Sequence, residues 1–319
     1  MDIFAIILWP IKWAIEAILV GFHTLFTFLG LQSEAGLTWV LSIAGLVVVV
    51  RAALIPVFVR QIKNQRKMLE ISPDLKKIQD KYKGKRDQFS REAMSRETMA
   101  LYKKHGTNPL SSCLPILLQM PIFFGLFSVL NSSFNGLTGV GLLNEQLSSE
   151  FGRATLFGIA PLGSTMVTSE GNVWVIVIAA ILIVLMTASQ FITQLQIMSK
   201  NQSPEMKASP MYRQQRILLY ILPVVFLFSG VAFPLGVMFY WFVSNIWTMV
   251  QQFIVIRNLP TPGSEAALAR EARLAKKRQR RGIVEPEDEP EGTIAVEEPK
   301  KPQRAQPVNK NRAKKKGGR

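Results

Sequence analysis

The sequence predicts an all-α integral membrane protein with a core of five membrane-spanning helices, and three observations indicate this class. Apolar residues make up 48% of the 319 residues, while only 19% are charged. The apolar residues lie in long uncharged blocks, several of them near the roughly 20 residues that a helix needs to cross the hydrocarbon core. The net charge of +16 is concentrated between these blocks. A soluble protein of this length would not separate its residues in this way.

The first apolar stretch, residues 3–31, differs from the others because polar residues interrupt it. They share one helical face: Lys12, Glu16, His23 and Thr27. Trp9 and Trp13 are typical of a membrane interface. The pattern predicts that residues 1–34 contain an amphipathic helix that lies at the membrane interface. A helix that spans the membrane is the alternative, and a cleaved signal peptide is not expected because a basic start and a small-residue cleavage site are missing.

Five blocks are long and apolar enough to span the membrane: residues 37–59, 113–133, 173–199, 217–233 and 235–256. The last two belong to one uncharged run of 40 residues. As a single helix this run would be about 60 Å long, twice the thickness of the hydrocarbon core. We therefore predict a break at Phe233-Pro234-Leu235-Gly236, because proline and glycine interrupt helices.

The distribution of basic residues predicts the orientation, because Lys and Arg concentrate in cytoplasmic loops. Residues 60–109 hold fourteen basic residues against six acidic ones, residues 200–216 four against one, and residues 257–319 seventeen against nine. Residues 134–172 hold one basic residue against three acidic ones. These three basic segments are therefore expected in the cytoplasm.

The two longest basic segments differ in kind. Residues 60–109 are expected to form a helical hairpin, with Gly84 in its turn and a restart of the first arm at Ser72-Pro73-Asp74. The tail, residues 258–319, is rich in Pro, Glu, Lys and Arg and is expected to be disordered apart from a short helix at 265–281. Its basic clusters can bind RNA phosphates or anionic lipid. A tail that only anchors and solubilises the chain is the alternative.

Arg51 is the most informative residue, because it lies deep in the first predicted span. A charge at mid-helix costs about 2.5–3.5 kcal/mol on insertion scales, and the five spans contain no Asp or Glu. We therefore predict a hydrophilic groove that is open to the cytoplasm and is lined by Arg51 and polar groups of other spans. These groups are Gln119, Gln190, Gln194, Ser244 and Asn245. Alternatively, backbone carbonyls and amide side chains satisfy Arg51 internally.

Few residues are available for metal, cofactor or covalent chemistry. Cys113 is the only cysteine, and His23 and His105 are the only histidines. The sequence contains no phosphate-binding loop, no serine-nucleophile motif and no zinc-protease motif. We expect no cofactor, no metal site and no enzymatic activity.

Three segments resemble the YidC family of membrane protein insertases, whose relatives are the mitochondrial Oxa and chloroplast Alb proteins. They are VVVVRAALIPVFVRQIKNQRKM, MALYKKHGTNPLSSCLPILLQMPIFFGLFSVL and FPLGVMFYWFVSNIWTMVQQ. The resemblance implies a five-helix core with a groove that is closed toward the outside, a cytoplasmic hairpin at 60–105 and an interfacial helix before the core. It also implies that the functional groove arginine is Arg51.

This resemblance predicts an insertase of the bacterial cell membrane that acts on nascent membrane proteins. The ribosome, bound through the basic tail, and a Sec-type translocon are further expected partners, besides the lipid bilayer. Two other functions stay open at the level of sequence. One is an anion-binding channel or transporter that uses Arg51, and the other is a scaffold that helps membrane proteins fold without inserting them.

Overall fold

The computed structural model describes residues 3–85, 87–106, 114–207 and 210–281. Cys113, the segment Asn108-Pro109-Leu110 and the tail residues 282–319, including the terminal basic cluster, lie outside the described residues. The described part consists of helices and one small antiparallel sheet. The helices are α1 (Ile3–Phe28), α2 (Gly36–Glu70), α3 (Ser72–Lys81), α4 (Gln88–Lys104), α5 (Leu114–Phe134), α6 (Glu145–Arg153), α7 (Val173–Lys200), α8 (Pro204–Lys207), α9 (Pro210–Gly230), α10 (Leu235–Asn258) and α11 (Glu265–Arg280). The strands are β1 (Thr155–Leu156) and β2 (Ala160–Pro161).

Within the described residues, four helical segments are long and apolar enough to cross a membrane: Leu8–Phe28, Gly36–Asn64, Leu117–Phe134 and Val173–Lys200. The predicted fold class, an all-α integral membrane protein, is confirmed. Helices α9 and α10 do not meet the same criterion, since α9 begins with charged and amide residues and α10 carries polar residues along its length. The number of spans and the groove stay predictions.

Helix α10 carries polar residues among apolar ones, and its first half is buried in the bundle. It packs against α7 along much of its length and against α2, and several of its residues are buried. Helix α9 also packs against α7, and its Phe226 ring lies 5.2 Å from the ring of Trp241 on α10. The exposed face of α9 is apolar. The uncharged run between residues 217 and 256 is interrupted at residues 231–234, and Pro234 precedes the first turn of α10.

Helix α2 continues well beyond the predicted end of its span at residue 59. Its 35 residues extend over about 52 Å, while the hydrocarbon core is about 30 Å thick. Residues 60–70, which the sequence interpretation assigned to the hairpin, are therefore part of α2. Helices α3 and α4 follow and pack against each other, and Gly84 lies between them with φ +85°.

The loops divide the bundle into two ends. The capped end carries residues 29–35, the segment 135–172 and the α9–α10 connection, and the hairpin end carries α3, α4 and the α7–α9 connection. At the capped end, Trp39 is fully buried between the rings of His23 and Phe151, at centroid distances of 4.0 and 4.4 Å. An isolated bridge between Ala35 and Thr155 joins the start of α2 to the sheet. The capped end is therefore closed by packed aromatic side chains.

The polar face of α1 is directed toward the protein. Glu16 and His23 are 1% and 2% exposed, whereas Trp9 and Phe28 are 54% and 86% exposed. The imidazole Nε2 of His23 lies 3.0 Å from the carbonyl oxygen of Ser33. Two of the four polar residues that define the amphipathic pattern thus bind other parts of the chain, and the exposed face of α1 is largely apolar. The interfacial placement of α1 stays a prediction.

Candidate functional site

Arg51 lies near the middle of the apolar part of α2 and is partly buried. Its Nη2 atom donates a hydrogen bond to Oγ of Ser244 on α10, over 2.5 Å. Its guanidinium carbon is 6.0 Å from the ring centre of Phe58, two turns further along α2. The arginine is therefore held between α2 and α10, with an aromatic ring on its hairpin-end side.

A second hydrogen-bonded pair of polar side chains lies beside Arg51 and Ser244. The side-chain amide of Gln119, on α5, donates a 2.9 Å hydrogen bond to the hydroxyl of Tyr240. Tyr240 and Ser244 are four residues apart on α10 and therefore share one helical face. We call Arg51, Gln119, Tyr240 and Ser244 the Arg51 cluster. It joins polar groups of α2, α5 and α10 at one depth in the bundle.

The cluster borders a small cavity with room for about one water molecule. Arg51, Gln119 and Tyr240 contribute its polar lining. The rest of the lining is aliphatic and comes from α1, α2 and α5: Ile15, Leu46, Val47, Val50, Ile122 and Leu126. The cavity lining is thus largely apolar, with three polar side chains.

Arg51 is not neutralised by an acidic residue in the described part of the chain. A guanidinium has five N–H donors, and among the described residues Ser244 accepts the one side-chain hydrogen bond found for Arg51. Glu16, the acid of α1, is bound to backbone amides of the loop after α5 instead. Among the described residues, the arginine therefore has N–H donors without an acceptor and a positive charge without an acidic partner.

The structure brings three of the predicted groove residues together, Arg51, Gln119 and Ser244, and places the other three elsewhere. Asn245 follows Ser244, so its side chain points to another side of α10, where its amide lies 3.4 Å from the carbonyl oxygen of Met186 on α7. Gln190 and Gln194 are partly buried on α7. No hydrogen bond joins either of them to the Arg51 cluster within the described ranges.

Tyr240 is the member of the cluster that the sequence interpretation did not single out. Its spacing of four residues from Ser244 is the sequence feature that could have identified it, since two residues at that spacing lie on the same face of a helix. Across residues 3–85, 87–106, 114–207 and 210–281, no group of three or more His, Cys, Asp or Glu side chains could hold a metal ion. The site therefore offers hydrogen bonds and one positive charge.

The sequence of the whole chain is similar to known proteins. Residues 30–262 match the model of the family described as 60Kd inner membrane protein. The chain belongs to this family. The membrane protein insertase YidC of Tropheryma whipplei (strain Twist) is 45% identical over 316 residues, which cover 97% of this chain and 96% of that protein.

Two further relatives carry the same name. The YidC protein of Bifidobacterium longum is 34% identical over 320 residues, covering 97% of this chain and 95% of the relative. That of Streptomyces avermitilis is 44% identical over 283 residues, covering 86% of this chain and 63% of the relative. The resemblance to the YidC family drawn from the three sequence segments is confirmed. All four residues of the Arg51 cluster lie within the region matched by the 60Kd inner membrane protein family.

Proposed function

We propose that this chain inserts membrane proteins into the bacterial cytoplasmic membrane. Its relatives are named membrane protein insertases. The observation that carries the proposal for the site is the uncompensated guanidinium of Arg51 inside a helix bundle. A buried charge without a counter-ion is costly, so a visiting anion stabilises it. An acidic residue of a nascent membrane protein is such an anion.

The magnitudes fit this role. Two unit charges at about 4 Å attract each other by up to about 4 kcal/mol at an effective dielectric constant of about 20, before desolvation. An acidic residue at the centre of a membrane span costs about 2.5–3.5 kcal/mol. One arginine therefore offsets one acidic residue of the client but not a long charged segment. Transfer of the client's own apolar span into lipid supplies the remaining free energy.

The polar neighbours of Arg51 hold it in place for contact with an acidic residue of the client. Ser244 holds one end of the guanidinium, while Gln119 and Tyr240 bind each other and keep polar groups beside it. The cavity is far smaller than a polypeptide segment, so the client's entry requires the helices around it to move apart. We propose that the client approaches from the hairpin end, past Phe58, and that this end faces the cytoplasm.

The test compares clients that differ in charge. Purified full-length protein is reconstituted in lipid vesicles, and the insertion rate of a single-span client is measured with an acidic and with a neutral translocated tail. Arg51→Ala should slow insertion of the acidic client by about tenfold, equivalent to about 1.4 kcal/mol, and affect the neutral client much less. Arg51→Lys should retain much of the rate because it keeps the charge.

Arg60→Ala is the matched control, because it removes an exposed arginine of the same helix outside the cluster. It should insert both clients at the parent rate. If Arg51→Ala also inserts the acidic client at the parent rate, the counter-ion role of Arg51 is wrong.

We further propose that the cytoplasmic tail binds the ribosome and that a Sec-type translocon cooperates with this chain for some clients. The basic residues of α11 support the first point, because they suit phosphate groups of RNA. Deletion of residues 258–319 should weaken co-sedimentation with ribosomes, and the difference should shrink as salt concentration rises. Equal co-sedimentation with and without the tail would rule out this role, and a loss of binding to anionic vesicles instead would point to lipid.

A further inference from the structure

A buried carboxylate on α1 takes no part in the Arg51 cluster. Glu16 is 1% exposed, and its two oxygens accept hydrogen bonds from the backbone N–H groups of Val140, at 2.8 Å, and Gly141, at 2.7 Å. The N–H of Leu143 adds a longer contact of 3.4 Å. We call the N–H groups of Val140, Gly141 and Leu143 the amide cradle. Hydrogen bonds to an ionised carboxylate are roughly twice as strong as those between neutral groups.

The amide cradle depends on glycine at two positions. A Cβ atom at Gly139 would lie 2.6 Å from Cδ of Glu16, and one at Gly141 would lie 2.6 Å from Cδ1 of Trp13. Real Cβ atoms do not approach neighbours so closely, so a larger residue would push the loop away from α1. The Gly-Val-Gly sequence therefore allows the backbone to reach the carboxylate.

Glu16 is next to a residue of the functional site. Ile15 is 3% exposed and lines the cavity of the Arg51 cluster. It also contacts α5, where a Cβ at Gly125 would lie 3.1 Å from its Cδ1 atom. Two consecutive residues of α1 thus point to different partners, one to the cavity and the other to the amide cradle. Because Ile15 and Glu16 are adjacent on α1, we expect a shift of α1 that releases Glu16 to displace Ile15 as well.

We propose that Glu16 is a positioning residue for the insertase site, and that its carboxylate, bound in the amide cradle, keeps α1 against the Arg51 cavity and closes the cavity on that side. This proposal rests on the proposed function of the Arg51 cluster. Glu16 does not neutralise Arg51, since backbone amides of the capped end take up its oxygens. The Glu16 carboxylate therefore stays apart from the Arg51 guanidinium, and Arg51 remains available to an acidic residue of a client.

The first experiment measures closure of the cavity without a client. Cys113→Ser removes the only cysteine, and Ile122→Cys introduces a reporter in the cavity lining. The rate at which a water-soluble maleimide modifies this reporter is measured in the purified full-length protein. Glu16→Gln and Gly139→Ala should each raise the rate by about tenfold, because each disrupts charge-assisted hydrogen bonds of the cradle.

Two controls distinguish a local displacement of α1 from a general loosening of the helix bundle. Thr24→Ala removes an exposed side chain of α1 whose hydroxyl bonds within the same helix, and it should leave the rate unchanged. A second reporter, Ala179→Cys, lies fully buried on α7, away from the cradle. Its modification should stay slow in Glu16→Gln and Gly139→Ala. Parent rates at the cavity reporter in both variants, or an equal rise at both reporters, would overturn the proposal.

The second experiment uses the vesicle insertion assay. Glu16→Gln should slow insertion of clients with acidic and with neutral tails alike, since it displaces the cavity wall without removing the charge of Arg51. Faster modification of the cavity reporter with unchanged insertion would overturn the link between closure and insertion. Because the maleimide assay contains no client, its outcome is independent of the role proposed for Arg51.

Discussion

At the capped end, the side chains that join α1, α2 and α6 are buried, whereas those that join α3 and α4 at the hairpin end are exposed. Trp39 lies in an aromatic stack with 0% exposure, and Ser33 donates a hydrogen bond to the carboxylate of Glu150, itself 9% exposed. Helix α4 contains no buried residue, and an exposed ion pair of Lys81 with Glu97 joins it to α3.

The comparison shows that the two ends differ in what stabilises them. Burial of large aromatic side chains gives the capped end a high local stability. Exposed ion pairs are weak and are screened by salt, so the hairpin end opens at a lower free energy than the capped end. Under the proposed function, in which clients arrive from the hairpin end, the capped end would preserve the membrane barrier while the hairpin end adapts to clients.

The largest expected difference between the two ends comes from truncating an aromatic residue in each. Trp39→Ala should lower the free energy of unfolding by about 3–5 kcal/mol, because it leaves a cavity between His23 and Phe151. Phe89→Ala on α4 should change it by no more than about 0.5 kcal/mol, because Phe89 is 86% exposed. Thermal unfolding of both variants in the same detergent measures the difference. Similar unfolding temperatures would mean that the capped end is not the more stable one.

A smaller effect is expected from a single methyl group at two glycines near the capped end. A Cβ at Gly36 would lie 2.6 Å from the carbonyl carbon of Thr155, so Gly36→Ala should separate α2 from the sheet and cost about 1–3 kcal/mol. Gly21, within α1, has no atom within 4 Å of such a Cβ. Gly21→Ala should be neutral or stabilise by up to about 1 kcal/mol, because alanine favours a helix. Equal losses of thermal stability in the two variants would contradict the close packing at Gly36.

Hydropathy and charge could predict the membrane fold class but not the ends of all helices. The hydrophobic block of α2 ends near residue 59, yet the helix continues to Glu70 because Lys, Arg and Gln also favour a helix. Hydropathy therefore locates the membrane boundary rather than the helix end. The sequence predicts no helix or strand within residues 134–172, because α6 and the two-residue strands are too short to show a periodic apolar pattern.

The candidate site could be predicted in part. The cost of a charge inside a span was sufficient to select Arg51, and polarity within the spans was sufficient to suggest Gln119 and Ser244. The sequence could not distinguish Ser244 from Asn245, because the rotation of α10 relative to α2 and α7 depends on packing of the whole bundle. For the same reason the partner of Glu16, 124 residues away in the chain, could not be identified.

The smallest expected effect concerns the ion pair of the hairpin end. Glu97 accepts hydrogen bonds from Lys81, at 2.5 Å, and from the hydroxyl of Tyr82, at 2.9 Å. The Lys81 ammonium, followed by Tyr82, lowers the pKa of Glu97 below its ordinary value of 4.5. The pair therefore contributes fully to pairing of α3 and α4 above that value, and its contribution is lost as the pH falls through the depressed pKa.

Spin labels at Gln79→Cys and Ala100→Cys, in a Cys113→Ser background, would report the distance between α3 and α4. Glu97→Gln should broaden this distance distribution at neutral pH, and the unsubstituted pair should show the same broadening only in acid. Glu92→Gln is the matched control, since Glu92 pairs with Arg96 within α4 and does not join the two helices. A distance distribution that stays equally narrow in Glu97→Gln would show that apolar contacts, rather than this ion pair, hold α3 and α4 together. Apolar contacts would then stabilise both ends of the bundle, and the two ends would differ only in how much apolar surface is buried.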